Sequence, residues 1–125
     1  MKFYKCNKCG NIIEMIHDSG VKPFCCGEEM SELIANTSDG AHEKHVPVIE
    51  EFDNKVVIKV GEVIHPMLEA HYIEWIIVHT DRSIMRKHLK PFDEPIAEFA
   101  LKDDEIVLSA YAYCNLHGLW KKISE

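Results

Sequence analysis

The stretch IVLSAYAYCNLHG, residues 106–118, decides the fold. Ile106, Leu108, Ala110 and Ala112 alternate with Val107, Ser109, Tyr111 and Tyr113, the period-two pattern of a β-strand. The strand runs into Cys114, and His117 follows in a glycine-bounded loop. A thiol and an imidazole placed where a strand ends stand where rigid β-scaffolds present functional side chains.

Other segments repeat the pattern. In NKVVIKVG, Val56, Ile58 and Val60 face one way and Lys55, Val57 and Lys59 the other. HYIEWIIVHT places Ile73, Trp75 and Ile77 on one face, and IAEFAL is a further strand. Turn signals (DN, HP, TDR, KPFDEP, KDDE) separate them, and no stretch holds a helical period over three turns. Short strands at this spacing predict an all-β sandwich.

The chain has 125 residues and a net charge of −7. The acidic balance and the lack of a basic stripe argue against nucleic-acid binding. No apolar run reaches the ~20 residues of a membrane span. The start, MKFYKCNKCG, has no apolar signal region, so a cytoplasmic location is expected.

Residues 1–36 differ from residues 37–125. They hold four of the five cysteines and the breakers Gly10, Gly20, Pro23 and Gly27. A segment this short cannot build a self-sufficient core, and below ~40 residues a metal or disulfides are needed. In a reducing compartment disulfides are a poor explanation. Cys6 and Cys9 form a CxxC followed by Gly10, while Cys25 and Cys26 are adjacent. Four thiolates make a tetrahedral site that suits zinc or iron alike. Neighbours on an extended strand point apart, so Cys25 and Cys26 must lie in a turn, and one sulfur–metal–sulfur angle is expected to be distorted.

Several histidines lie, like Cys114, at expected strand ends or loops. His45 precedes a proline, His65 lies in a turn with Pro66, and His71 enters a strand. One sulfur with several imidazoles forms a mixed site that suits iron, copper or zinc. His42 is expected to face solvent, His79 to take a core or edge place, and His88 to lie in a solvated basic loop.

The segments CNKCG, Cys25-Cys26, EKHVP, HPM…HYIEWI and CNLHG.W, in this order, resemble desulfoferrodoxin, the two-iron superoxide reductase family. The resemblance implies a desulforedoxin-like Fe(Cys)4 module over residues 1–36, on Cys6, Cys9, Cys25 and Cys26. It implies an immunoglobulin-like sandwich over residues 37–125 with a second, active iron. That iron would be held by His45, His65, His71 and His117 in a plane and by Cys114 on the axis. Glu43 would be the sixth ligand in the oxidised state. The implied reaction is one-electron reduction of superoxide to hydrogen peroxide without dioxygen release. Lys44 would steer the anion to the site and stabilise the developing peroxide. A rubredoxin-type electron donor and a homodimer are also implied. The alternatives are an iron-based electron carrier with no substrate and a zinc-stapled binding module.

Overall fold

In the computed structural model, which describes all 125 residues, the chain folds into two units, Met1–Ile34 and Ala35–Glu125. The structure is almost entirely β, as the alternation predicts.

The first unit pairs β1 (Phe3–Lys5) with β2 (Ile12–Glu14) and, on its other side, with β5 (Ser31–Glu32). Between them β3 (Phe24–Cys25) and β4 (Glu28–Glu29) form a separate hairpin. Its buried apolar side chains are Phe3, Tyr4, Cys6 and Met30, the last three packed with Met15 and Cys25. Four buried side chains cannot offset the ordering entropy of more than thirty residues. The unit needs the staple that its cysteines can provide.

The second unit is a seven-stranded sandwich. One sheet has the order β10 (Ile96–Ala100), β7 (Lys55–Val60), β6 (Pro47–Phe52). The other runs β12 (Gly118–Ile123), β11 (Val107–Cys114), β8 (Ile73–Thr80), β9 (Ile84–His88). This three-on-four division of antiparallel strands is the immunoglobulin-like arrangement expected. The core between the sheets takes Val56, Ile58 and Val60 from β7, Ile76 and Val78 from β8, Ala97 and Phe99 from β10, and Ala110 and Ala112 from β11. No helix is long and apolar enough to cross a membrane.

Two register shifts correct the sequence reading of β8 and β11. Between Tyr113↔Trp75 and Cys114↔Ile73, Glu74 is the extra residue. Ile73 therefore joins Ile76 and Val78 in the core, while Trp75 and Ile77 lie on the opposite face beside Tyr113 and Tyr111. The rings of Trp75 and Tyr113 stack there at 5.4 Å. At the other end Leu108 is the extra residue, so Val107 rather than Leu108 enters the core. A bulge flips every side chain beyond it, and alternation in a sequence cannot announce one. The bulge at Glu74 lets Cys114 and Ile73 share the core face at the end of the ladder.

Helix α1 (His42–His45) is a single turn that leads into β6. It packs closely on the turn after β7. A Cβ on Gly61 would stand 2.7 Å from the Glu43 carbonyl oxygen, and the Val63 N–H donates to that oxygen at 2.9 Å.

Ile76 is fully buried between the sheets. Ile76→Ala should cost about 2–5 kcal/mol of unfolding free energy, as buried large-to-small changes do. Denaturant titration of the sandwich measures it; a loss well under 1 kcal/mol would contradict this packing.

Candidate metal centres

The first cluster lies in the N-terminal unit. The chain reverses at Cys26 and Gly27 with φ of 52° and 79°, both positive, as a two-residue type I′ hairpin between β3 and β4 requires. The turn brings the adjacent pair together, as covalent geometry demanded. Cys9 Sγ and Cys25 Sγ are 3.6 Å apart, and Cys25 Sγ and Cys26 Sγ 3.9 Å. Tetrahedral sulfurs about 2.3 Å from one ion stand about 3.8 Å apart. The adjacent pair is thus no tighter than its neighbour, contrary to the expected distortion; the left-handed backbone at Cys26 absorbs it.

Backbone donors surround these thiols. The Cys9 N–H reaches Cys6 Sγ at 3.4 Å and the Asn11 N–H reaches Cys9 Sγ at 3.5 Å. The N–H groups of Cys9 and Lys8 hold the Cys6 thiol down at about 6. Hydrogen bonds among the thiols, to Cys9 first and then to Cys25 and Cys6, push Cys26 up to about 12.

The second cluster forms at the end of the sandwich where β7 and β11 finish and β8 and β12 begin. His45 closes α1, His65 follows the β7 turn with its N–H on the Val60 carbonyl at 3.0 Å, and His71 lies just before β8. Cys114 ends β11, and His117 lies in the turn to β12. His45, His65 and Cys114 are buried.

The four imidazoles form a square. Going round through His45, His65, His71 and His117, neighbouring ring centroids are 4.6, 4.8, 5.1 and 4.8 Å apart. Neighbouring rings cross at 69–82°, while His45 and His71 face each other at 6.4 Å and 28°. That distance exceeds all four sides, as a diagonal does.

Hydrogen bonds fix which nitrogens point inward. His45 Nδ1 contacts the Ala41 carbonyl at 2.7 Å and His65 Nδ1 the Pro66 carbonyl at 2.6 Å. A carbonyl only accepts, so both Nδ1 atoms carry the proton and both Nε2 atoms present lone pairs. Yet these Nε2 atoms are 3.1 Å apart. His117 Nδ1 is 3.2 Å from His45 Nε2 and 3.8 Å from Cys114 Sγ. His71 Nε2 is buried with no partner at all. Nitrogens about 2.1 Å from one ion stand about 3.0 Å apart at right angles and about 3.4 Å apart at the tetrahedral angle. The observed 3.1 and 3.2 Å, both measured from His45 Nε2, are nearer the right-angled spacing.

The protonation tendencies agree. Burial lowers His45 and His71, and pushes His65 down to about 4. Neutral imidazole is the form that ligates. Burial raises the Cys114 thiol, opposed by the backbone N–H groups of His117 and Leu116.

Lys44 and Glu43 are exposed on α1. The Lys44 charge lowers both His45 and His71, so it lies in the neighbourhood of both. The converging group is His45, His65, His71 and Cys114, and neither His117 nor Glu43 is in it; Glu43 lines a cavity of about 640 Å³ with Glu51, Glu62 and Lys122. His42 and His88 are exposed and His79 is half-buried on β8, all apart from both clusters.

Sequence reading gave no role to Trp120 or Gly40. Trp120 is fully buried, stacks on His45 at 4.9 Å and donates its indole N–H to the His117 carbonyl at 3.0 Å. Ser38 Oγ donates to the same carbonyl. A Cβ on Gly40 would lie 2.9 Å from the Trp120 ring and 3.0 Å from both His117 and His45. These are contacts across the fold; only the closeness of Trp120 to His117 in the chain hinted at one.

The two units are also the units of resemblance. Residues 1–33 match the desulfoferrodoxin N-terminal domain and residues 37–123 the desulfoferrodoxin domain. The chain belongs to the desulfoferrodoxin family. It is 54% identical over 121 residues to a desulfoferrodoxin homolog of Archaeoglobus fulgidus, covering 97% of this chain and 95% of that one. It is 52% identical over 120 residues to the desulfoferrodoxin of Nitratidesulfovibrio vulgaris, covering 96% and 94%. Among solved structures, the superoxide reductase from Treponema pallidum superposes with a TM-score of 0.81 at 37% identity, over 97% of both chains. A one-iron superoxide reductase from Giardia intestinalis superposes at 0.57 and 36% identity, over 66% of this chain and 98% of that one.

Gly40→Ala should push apart His45, His117 and Trp120. The expected result is a protein whose four-cysteine centre loads normally and whose histidine–cysteine centre is under-occupied. Metal analysis with the charge-transfer bands of each centre checks it; full occupancy of both would contradict the close approach.

Proposed function

We propose that the chain is a superoxide reductase, with a desulforedoxin-like Fe(Cys)4 module over residues 1–36 and a catalytic sandwich over residues 37–125. The observation that carries this reading is the convergence of His45, His65 and His71 with the buried thiol of Cys114, with His45 Nε2 3.1 Å from His65 Nε2 and 3.2 Å from His117 Nδ1. His117, with Nδ1 3.2 Å from His45 Nε2, would be a fifth donor beside the converging four, one more than structural zinc takes, and imidazole with thiolate suits iron. Cys6, Cys9, Cys25 and Cys26 would hold one iron. His45, His65 and His71 through Nε2, His117 through Nδ1, and Cys114 would hold the other. Iron so bound would supply a reducing electron, and the Cys114 thiolate would donate electron density to it.

The reaction takes superoxide, one electron and two protons to hydrogen peroxide, and releases no dioxygen. The chain's own residues set its direction of approach. Cys114 closes the core side of the square, which leaves the solvent side for the substrate. Superoxide is an anion and the protein carries −7, so approach needs a local cation. Lys44 provides it beside two of the four imidazoles. Its ammonium also favours the charge that develops on the peroxide and orders the water that donates protons. Glu43, one residue away with its carbonyl anchored by Val63, is the carboxylate that would take the open position in the oxidised protein.

The electron would come from a rubredoxin-type donor in the cytoplasm, and the protein would work as a homodimer. An electron carrier without substrate is the second reading. A centre with one position free of protein donors favours the reductase over it.

Adding superoxide to the reduced protein tests the proposal. Stoichiometric oxidation with peroxide and no dioxygen is expected. Dioxygen release would indicate a dismutase, and no consumption a carrier.

Two variants test the roles. Lys44→Ala should slow the bimolecular reaction about tenfold or more and flatten its salt dependence; stopped-flow traces identical to the parent's would remove the steering role. Cys114→Ser should abolish the charge-transfer band of the second iron and keep those of the four-sulfur centre; loss of both would mean the thiol is misassigned.

A further inference from the structure

Three of the four imidazoles are held by contacts of their own. His45 and His65 donate from Nδ1 to carbonyls, and Trp120 and Ser38 fix the carbonyl of His117. His71 differs. It lies outside the strands in a turn closed on Leu68, whose N–H reaches the His71 carbonyl at 2.9 Å and whose carbonyl takes the His71 N–H at 3.2 Å. The β8–β11 ladder ends at Ile73 and Cys114, short of this turn.

Asn115 spans the gap. Its N–H donates to the Tyr72 carbonyl at 3.2 Å. Its Oδ1 accepts the Tyr72 N–H at 2.9 Å, and its Nδ2 donates to the Ala70 carbonyl at 2.9 Å. The three bonds grip the residues on both sides of His71. Asn115 itself directly follows Cys114 and lies two residues before His117. The grip needs a donor and an acceptor on one short side chain, which among residues of this size only asparagine carries. Aspartate would keep the bond from Tyr72 and set a carboxylate oxygen against the Ala70 carbonyl.

We infer that Asn115 is a positioning residue that fixes His71 against Cys114 and His117, so that the fourth imidazole meets the plane of the other three. This rests on the metal-centre reading above. Groups that orient a ligand without touching the ion are worth about 10–100-fold in metal affinity.

The test titrates the metal-free full-length chain with ferrous iron against a competing chelator, without oxygen. After oxidation, each centre is read by its own charge-transfer bands. Asn115→Ala should weaken the histidine–cysteine centre about 10–100-fold, alter its ferric electron-spin resonance signal and leave the four-cysteine centre unchanged. Asn115→Asp should fall between, since it keeps the Tyr72 bond. In a His71→Ala background, Asn115→Ala should have no further effect, because it acts through His71. Parental affinity in Asn115→Ala, or full additivity with His71→Ala, would overturn the inference. If Asn115→Ala does not fold, parental affinity in Asn115→Asp overturns it instead. Superoxide plays no part here, so a failure of the reductase reading leaves these outcomes standing. Iron at the four-cysteine centre alone would overturn the metal-centre reading and this inference with it.

Discussion

Lone pairs facing lone pairs are the constraint on which the catalytic unit depends. His45 and His65 spend their ring protons on the carbonyls of Ala41 and Pro66, then point their other nitrogens at each other across 3.1 Å. His71 Nε2 is buried with no partner. Each buried unsatisfied acceptor costs about 1–3 kcal/mol, and facing lone pairs also repel. Burial lowers the proton affinity of all three imidazoles, which disfavours relief by protonation. A cation relieves all of it at once. The sandwich stores this polar cluster at one end and is stable enough elsewhere to keep it.

The cluster's position follows from local departures from regular β-structure. The bulge at Glu74 lets Cys114 and Ile73 share the core face as the ladder ends, and so sets the thiol on the protein side of the square. Gly61 allows α1 to lie against the β7 turn, which brings His45 beside His65. Gly40 leaves room for Trp120 to stack on His45 while its indole N–H holds His117. The same α1 carries the exposed Lys44 next to His45 in the chain. One turn of helix thus provides a ligand candidate, the local positive charge and the carboxylate of Glu43.

Much of this was legible in the sequence, for reasons that differ by residue. The face of Val56, Ile58 and Val60 was clear because β7 is regular along its whole length. The turn at Cys25 and Cys26 followed from covalent geometry alone. His45, His65, His71, Cys114 and His117 stood out by residue type and by place at strand ends; the fold gathers His45, His65, His71 and Cys114 into one group and sets His117 beside His45. The faces of Trp75, Ile77 and Leu108 were misread because a bulge leaves no trace in an alternating pattern. Helix α1 was missed because one turn has no period to detect. The choice of Nε2 in His45 and His65 depends on carbonyls of Ala41 and Pro66, which every residue has and no sequence distinguishes. Trp120 and Gly40 act through contacts that exist only once the chain is folded.

The most direct test is anomalous diffraction at the iron edge from crystals of the iron-loaded, reduced protein. The account predicts two iron peaks per chain. One should lie among Cys6, Cys9, Cys25 and Cys26. The other should lie in the plane of His45, His65 and His71 Nε2 and His117 Nδ1, with Cys114 Sγ on one side and no protein donor on the other. A single peak, zinc in four-fold coordination among the histidines, or a plane that omits His117 would contradict it.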